Sequence, residues 1–306
     1  MIHWSDMRSK TPPTIYEALA VATKQLQPKK ITCPADRGLG DLEAEILLAH
    51  VLKKDRVWIR AHDERPLAKK DVKRFLELVS RRRRHEPIAY LVGEKEFYRL
   101  SLYVNDSVLI PRPSSETIVD LVIALKTNVK PLVLDVGTGS GAIAIAVAKQ
   151  LPSARALGTD ISNDALKIAR KNAKRHRIKN LRFQKADLLS PALIKTIVRE
   201  KGNRPLVIVV NLPYLPVSDK KKLAPDVVKY EPHGALFSGK DGLDAIRALL
   251  DQLAASDLKF HTAFIEFDPP QKSELIRMAT RSFPSASVTI HKDLEGHARV
   301  LEVQSK

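Results

Sequence analysis

The chain has almost no cysteine. One residue, Cys33, in 306 excludes an intrachain disulfide and any cysteine-based metal cluster, so a reducing, cytoplasmic setting is the default. No histidine pair has ligand spacing on a helical pattern, and no structural metal is expected. No apolar run reaches membrane-spanning length, and the start Met1-Ile2-His3-Trp4-Ser5-Asp6 does not read as a signal peptide. Internal repeats and any signal for oligomers are also missing, which leaves a monomer as the default. Acidic residues are in deficit: 35 Asp and Glu stand against 52 Lys and Arg, for a net charge of +17. The excess gathers at Lys69, Lys70, Lys73, Arg74 and Arg81 to Arg84, and again at Lys167, Arg170, Lys171, Lys174, Arg175 and Arg177. Both clusters fall on helical patterns and read as solvated faces. Such an excess also attracts acidic proteins or polyphosphate. Aromatic residues do not interleave with the clusters, which argues against stacking on single-stranded RNA. Nucleic acid is therefore an allowed partner but not a required one.

What is present organises the chain into parts. Thr14-Ile15-Tyr16-Glu17 is a capping box opening a helix that runs to about Leu26. Pro28 to Gly40 reads as a connector. Asp41 then caps a second helix with Leu42, Ile46, Ala49 and Leu52 on one stripe, followed by a short Val57-Trp58-Ile59 segment. Val72, Phe75, Leu76 and Val79 mark another helix by their spacing. Residues 1–90 thus form a small helical bundle, too slight for catalysis. Residues 91–112 form a bridge whose alternation from Phe97 to Ile110 predicts a β-hairpin. Over residues 113–306 helix and strand alternate, with strands near 132–136, 155–160, 181–184, 206–211, 262–267, 286–290 and 299–303. The last two are joined without a long helical crossover, which favours an antiparallel pair. Seven strands in this order imply a Rossmann-like α/β sheet, mostly parallel with an antiparallel last strand.

Four strand ends carry chemistry. Leu132 to Val136 runs into the turn Gly137-Thr138-Gly139-Ser140-Gly141, where glycine permits a tight turn and close approach to a ligand. Gly137, Gly139 and Ala142 also satisfy the dinucleotide fingerprint, so the turn alone does not separate a nicotinamide enzyme from other nucleoside-binding folds. Asp160 ends the next strand, where a carboxylate can accept both hydroxyls of a ribose. Asp187 ends a third and can accept from an adenine amine. Each aspartate taken singly is more often a turn residue or cap. Asn211-Leu212-Pro213-Tyr214 closes the apolar run Leu206 to Val210. Asn211 offers an amide oxygen, Pro213 restricts the residue before it, and Tyr214 supplies a flat face. Two acceptors beside an aromatic ring suit a planar NH₂ group, either an amide or the exocyclic amine of a base.

With these motifs the chain resembles the S-adenosylmethionine-dependent methyltransferases, and within them the glutamine methyltransferases of peptide chain release factors. The resemblance extends through Glu86 to Gly93, Glu94 to Tyr98, Leu109 to Pro113, Tyr230-Glu231-Pro232, Ala235 to Gly239 with Asp241-Gly242-Leu243, and Lys292 to Gly296 with Arg299-Val300. It implies methylation of the glutamine amide in the Gly-Gly-Gln motif of class I release factors. It also implies that Asn211, Pro213 and Tyr214 are catalytic. S-adenosyl-L-methionine would then lie against Asp135, Gly137, Thr138, Gly139, Ser140 and Gly141, with Asp160 and Ile161 at its ribose, Asp187 and Leu188 at its adenine, and Asn211 beside its methyl group. Leu212, Phe97 and Arg112 would join Asn211, Pro213 and Tyr214 in binding substrate. The family usually has Asn-Pro-Pro-Tyr where Leu212 interrupts, and Glu-Thr-Glu where Ser114-Ser115-Glu116-Thr117 stands; Glu266 to Gln271 replaces a glycine-containing turn. The same tetrapeptide resembles that of ribosomal-RNA adenine dimethyltransferases, so an adenine-N6 methyltransferase acting on RNA or DNA is the alternative. A non-catalytic basic module binding RNA or ribosomes is another. A nicotinamide enzyme ranks third, lacking a hydride-handling His or Tyr/Lys pair.

Overall fold

The structure, a computed structural model, describes residues 12–27, 39–125 and 130–305. Cys33, the first six residues and the connector from Pro28 to residue 38 lie outside them. The chain divides into two compact units: the residues up to Gly93 together with Pro225–Tyr230, and Glu94–Ala224 together with Glu231 onward. The bridge expected over 91–112 thus falls almost wholly in the second unit, and a six-residue helix from late in the chain joins the first.

The first unit is built on α1 (Ile15–Leu26), α2 (Leu39–Leu52), α3 (Arg56–Ala61), α4 (Lys69–Arg83) and α5 (Ile88–Val92). The capping box at α1 is formed: Glu17 N–H donates to Thr14 Oγ1 at 3.2 Å and Thr14 N–H to the Glu17 carboxylate at 2.9 Å. Ile15, Leu47, Leu48, Ile59 and Phe75 are fully enclosed at its centre. The expected face of α2 is corrected in part. Ala49 is buried as expected, with Ala44, Leu47, Leu48 and Val51 beside it, whereas Leu42 is exposed. Apolar residues surround this helix, so spacing alone does not choose a face. Asp41 sits in its first turn rather than capping it, where it still favours the positive end of the helix dipole.

The second unit opens with a hairpin of β1 (Glu94–Phe97) and β2 (Leu100–Tyr103), antiparallel with Phe97 opposite Leu100. The expected hairpin over 97–110 is therefore shifted. Residues 104–110 run as a loop, and their alternation reflects burial of Val104, Val108 and Ile110. The turn puts Tyr98 and Arg99 at φ of 48° and 59°, values that hairpin turns usually assign to Asn-Gly. Contacts hold it there: Tyr98 donates its N–H to Glu116 and its hydroxyl to Asp120, both at 2.8 Å.

Beyond the hairpin come α6 (Glu116–Ala124), β3 (Leu132–Val136), α7 (Ala142–Gln150), β4 (Arg155–Asp160), α8 (Asn163–Arg175), β5 (Leu181–Lys185), α9 (Pro191–Lys201) and β6 (Leu206–Val210). They are followed by α10 (Pro225–Tyr230, the helix belonging to the first unit), α11 (Asp244–Ala255), β7 (Thr262–Glu266), α12 (Lys272–Ser282), β8 (Ser287–Lys292) and β9 (Ala298–Gln304). Seven strands form one sheet in the order β5-β4-β3-β6-β7-β9-β8. The first five are parallel, and β9 runs antiparallel to both β7 and β8. Strands β3, β6 and β7 are buried along their whole length, as expected where helices cover both faces. One face packs on α6, α7 and α8, the other on α9, α11 and α12. The chain order reverses between β3 and β6, and there the crevice beyond the strand ends is the natural place for a ligand.

Candidate active site

A cavity of about 690 Å³ lies at the C-terminal ends of β3, β4 and β6, within the size range of small-molecule sites. The glycine turn after β3 forms part of its wall. Asp135 anchors that turn: its Oδ2 accepts from Thr138 Oγ1 at 2.6 Å and from the N–H of Ala144, at the start of α7, at 3.1 Å. Both bonds use one oxygen, which leaves Oδ1 for the cavity that Asp135 lines. Burial pushes its pKa up to about 6. Asp160, at the end of β4, accepts from Gly139 N–H at 2.9 Å and from Ser162 N–H at 2.8 Å. Burial raises this carboxyl as well. A carboxylate has about four lone-pair positions, so acceptor capacity remains for two vicinal hydroxyls. Leu188, beside Asp187, holds φ at +43°, a sparsely populated conformation for leucine that marks a constrained loop.

The turn and the tetrapeptide after β6 lie against each other. At Gly137 (φ +75°) a Cβ would come within 2.8 Å of Leu212 Cδ2, so a larger residue would strain the backbone and displace that leucine. Leu212 itself is buried in the core. Where the resemblance led to an expected proline, the leucine side chain adds apolar contact to the core, and the residue also lines the cavity. Asn211 donates from Nδ2 to Ser115 Oγ at 2.9 Å, and Ser115 Oγ donates to the Glu266 carboxylate at 2.6 Å. With its nitrogen so engaged, Asn211 presents Oδ1 away from Ser115.

Every cofactor-binding residue expected from the sequence lines this cavity except Gly141, and Leu212, Pro213, Phe97 and Arg112 line it too. Gly141 has a packing role: at φ +82° a Cβ would press on Ile145 and on Ala169 of α8. Tyr214 is likewise not among the lining residues. Its ring packs on the core, its hydroxyl reaches Glu266 at 3.4 Å, and its carbonyl accepts from Gln271 at 2.7 Å. Arg112 is held by an ion pair with the buried carboxylate of Glu231, which also accepts from Ile110 N–H at 3.1 Å. Sequence reasoning missed Ser115, Glu266 and the face of α11 that brings Ala245, Ala248 and Gln252 to the cavity. Glu266 had a signal, a carboxylate closing an apolar strand like Asp160; Ser115 had none. Among the described residues no group of His, Cys, Asp and Glu could hold a metal ion, and no helix is long and apolar enough to cross a membrane.

Strand order, glycine turn and the carboxylate closing β4 together define a Rossmann-like methyltransferase. The hMettl16 catalytic domain shares the fold, with a TM-score of 0.55 over 84% of this chain and 90% of that one at 13% identity. Residues 17–93 match the PrmC N-terminal domain, and residues 128–197 a methyltransferase domain. The chain is similar to the release factor glutamine methyltransferases of Vibrio cholerae (34% identity over 96% of this chain and 97% of that one) and Rhodopirellula baltica (34%, 98% and 99%). It is also similar to that of Bacillus cereus (32%, 94% and 98%). The chain belongs to the release factor glutamine methyltransferase family.

Proposed function

We propose that this protein transfers a methyl group from S-adenosyl-L-methionine to the side-chain amide nitrogen of the glutamine in the Gly-Gly-Gln motif of class I release factors, in the cytoplasm. The observation that carries the reading is one cavity shared by Asp135, Asp160 and Asn211-Leu212-Pro213 at adjacent strand ends. Its residues fit that cofactor. Asp135 Oδ1 would face the methionine ammonium, Asp160 the ribose hydroxyls, and Asp187 with Leu188 the adenine. When bound, S-adenosyl-L-methionine supplies an electrophilic methyl carbon on a sulfonium.

An amide nitrogen is a poor nucleophile because its lone pair is delocalised into the carbonyl. Asn211 Oδ1 and the Leu212 carbonyl, each accepting one amide hydrogen, would hold the nitrogen in line with the methyl carbon and favour its pyramidalisation. Pro213 restricts the loop that carries both acceptors. With the cofactor bound, the nitrogen so held would take the methyl carbon, the S–C electron pair would stay with sulfur, and the methylated nitrogen would lose a proton to solvent. A strong base is unnecessary, because the nitrogen is acidic once methylated. Positioning of this kind supplies several kcal/mol of a barrier, up to roughly 7–11 in well-oriented cases. Replacing Asn211 by Ala should reduce methyl transfer to release factor by about 10³-fold or more, while calorimetric affinity for S-adenosyl-L-methionine changes by less than about threefold. Equal losses in both would assign Asn211 to the cofactor instead.

A further inference from the structure

The amide of an asparagine can be rotated by half a turn, exchanging its oxygen and its NH₂ at little steric cost. For Asn211 the two orientations have opposite consequences. One offers an acceptor to the substrate amide; the other offers hydrogens to hydrogens. Nothing in the tetrapeptide itself decides between them, so the decision must come from the group behind.

That group is a chain of two side chains from distant parts of the sequence. Glu266 ends β7 and is fully buried. Hydroxyls converge on its carboxylate: Ser115 Oγ at 2.6 Å, Ser114 Oγ at 3.2 Å and Tyr214 Oη at 3.4 Å. The Ser115 distance is that of a charge-assisted O–H···O⁻ bond. Burial opposes charge on Glu266 while the Ser115 hydroxyl and nearby Arg299 favour it; in the ionised state the carboxylate accepts only, so Ser115 spends its single proton on Glu266. Its oxygen then has lone pairs alone to offer, and the Asn211 group facing it at 2.9 Å has to be the NH₂. The amide oxygen is thereby turned away from Ser115. We infer that Ser115 and Glu266 are positioning residues for methyl transfer, fixing the orientation of the Asn211 amide through a one-way hydrogen-bond relay. The inference rests on the reading of Asn211 as the acceptor for the substrate amide. Neither relay residue needs to touch substrate or cofactor in this role.

Four variants test it: Ser115→Ala, Ser115→Thr, Asn211→Ala and the double variant Asn211→Ala/Ser115→Ala. Each is assayed for kcat and KM with release factor and for S-adenosyl-L-methionine affinity by calorimetry. Ser115→Ala, which removes one buried oxygen, should lower kcat by about 10- to 100-fold, leaving KM and cofactor affinity within about twofold. Ser115→Thr keeps the hydroxyl and should restore most of kcat, which a loss of packing alone would not explain. The double variant should be no slower than Asn211→Ala, because the serine acts only through the asparagine. Full activity in Ser115→Ala beside an inactive Asn211→Ala would overturn the relay and leave the site reading standing. Full activity in Asn211→Ala would overturn both. Should Ser115→Ala fold poorly, Glu266→Gln replaces it: the amide can donate to Ser115 and relax the one-way order, so kcat should fall there too, and an unchanged kcat contradicts the relay.

Discussion

At Asp135 the fold keeps a carboxylate where burial penalises its charge, holding its pKa up near 6 with only one oxygen bonded to protein. A bound ammonium would offset that penalty, since an opposite charge close by favours the ionised form. The sign follows. The group is charged above pH 6 or so and neutral below, so attraction to the ammonium is present at high pH and lost on acidification. Calorimetric affinity for S-adenosyl-L-methionine should fall by up to about tenfold for each pH unit below the midpoint, and Asp135→Asn should flatten the profile. An affinity unchanged from neutral to mildly acidic pH would exclude the contact. At this scale the sequence was informative where one polar residue sits at or next to a strand end: Asp160 and Asn211 close apolar runs, and Asp135 stands one residue before the end of β3. Tyr214 was expected at the substrate, and in the structure its ring packs against the core. Ser115 was silent because its meaning depends on a glutamate 151 residues away, a separation no local pattern reports.

Among the elements, the hairpin of β1 and β2 is tied to the glycine turn through a single side chain. Asn172, on α8 and fully buried, accepts from Tyr103 N–H at 2.7 Å and donates to the carbonyls of Tyr103 at 3.0 Å and Ser140 at 2.9 Å. Ion pairing of Arg175 with Glu94 at 2.9 Å reinforces the same junction. Replacing Asn172 by Ala strands three backbone groups in a dry site and should destabilise the protein by about 2–4 kcal/mol, measured by urea unfolding. Because Ser140 belongs to the cavity wall, cofactor affinity should weaken with it; a loss within about 0.5 kcal/mol would show the junction to be dispensable. All seven strands of the large sheet were legible, since β3, β6 and β7 are largely apolar runs whose ends are marked by Gly137, Asn211 and Glu266. The insertion of β9 between β7 and β8 was not, because strand order is set by packing across the sheet rather than by periodicity. The hairpin slipped for a comparable reason. Loop residues 104–110 alternate in burial as a strand would, and the true turn uses Tyr98 and Arg99 instead of glycine.

For the molecule as a whole, the net charge of +17 outlasts its local pairings. Arg82 bonds Glu43 at 2.6 Å and Lys167 bonds Asp164 at 2.8 Å, yet each such pair leaves the overall excess where it was. The long-range field of that excess should raise the encounter rate with an acidic surface on the substrate protein. The expected outcome is a kcat/KM that declines several-fold between about 50 and 300 mM salt while kcat holds steady; a salt-independent kcat/KM would leave the charge without a part in substrate capture. The central claim is tested most directly by finding where the methyl goes. Purified protein, isotopically labelled S-adenosyl-L-methionine, a class I release factor and total RNA are incubated together, and the products are digested and sequenced by tandem mass spectrometry. The account predicts one labelled methyl per release factor, on the amide nitrogen of the Gly-Gly-Gln glutamine. Label on adenine, on another release-factor residue, or on neither substrate would contradict it.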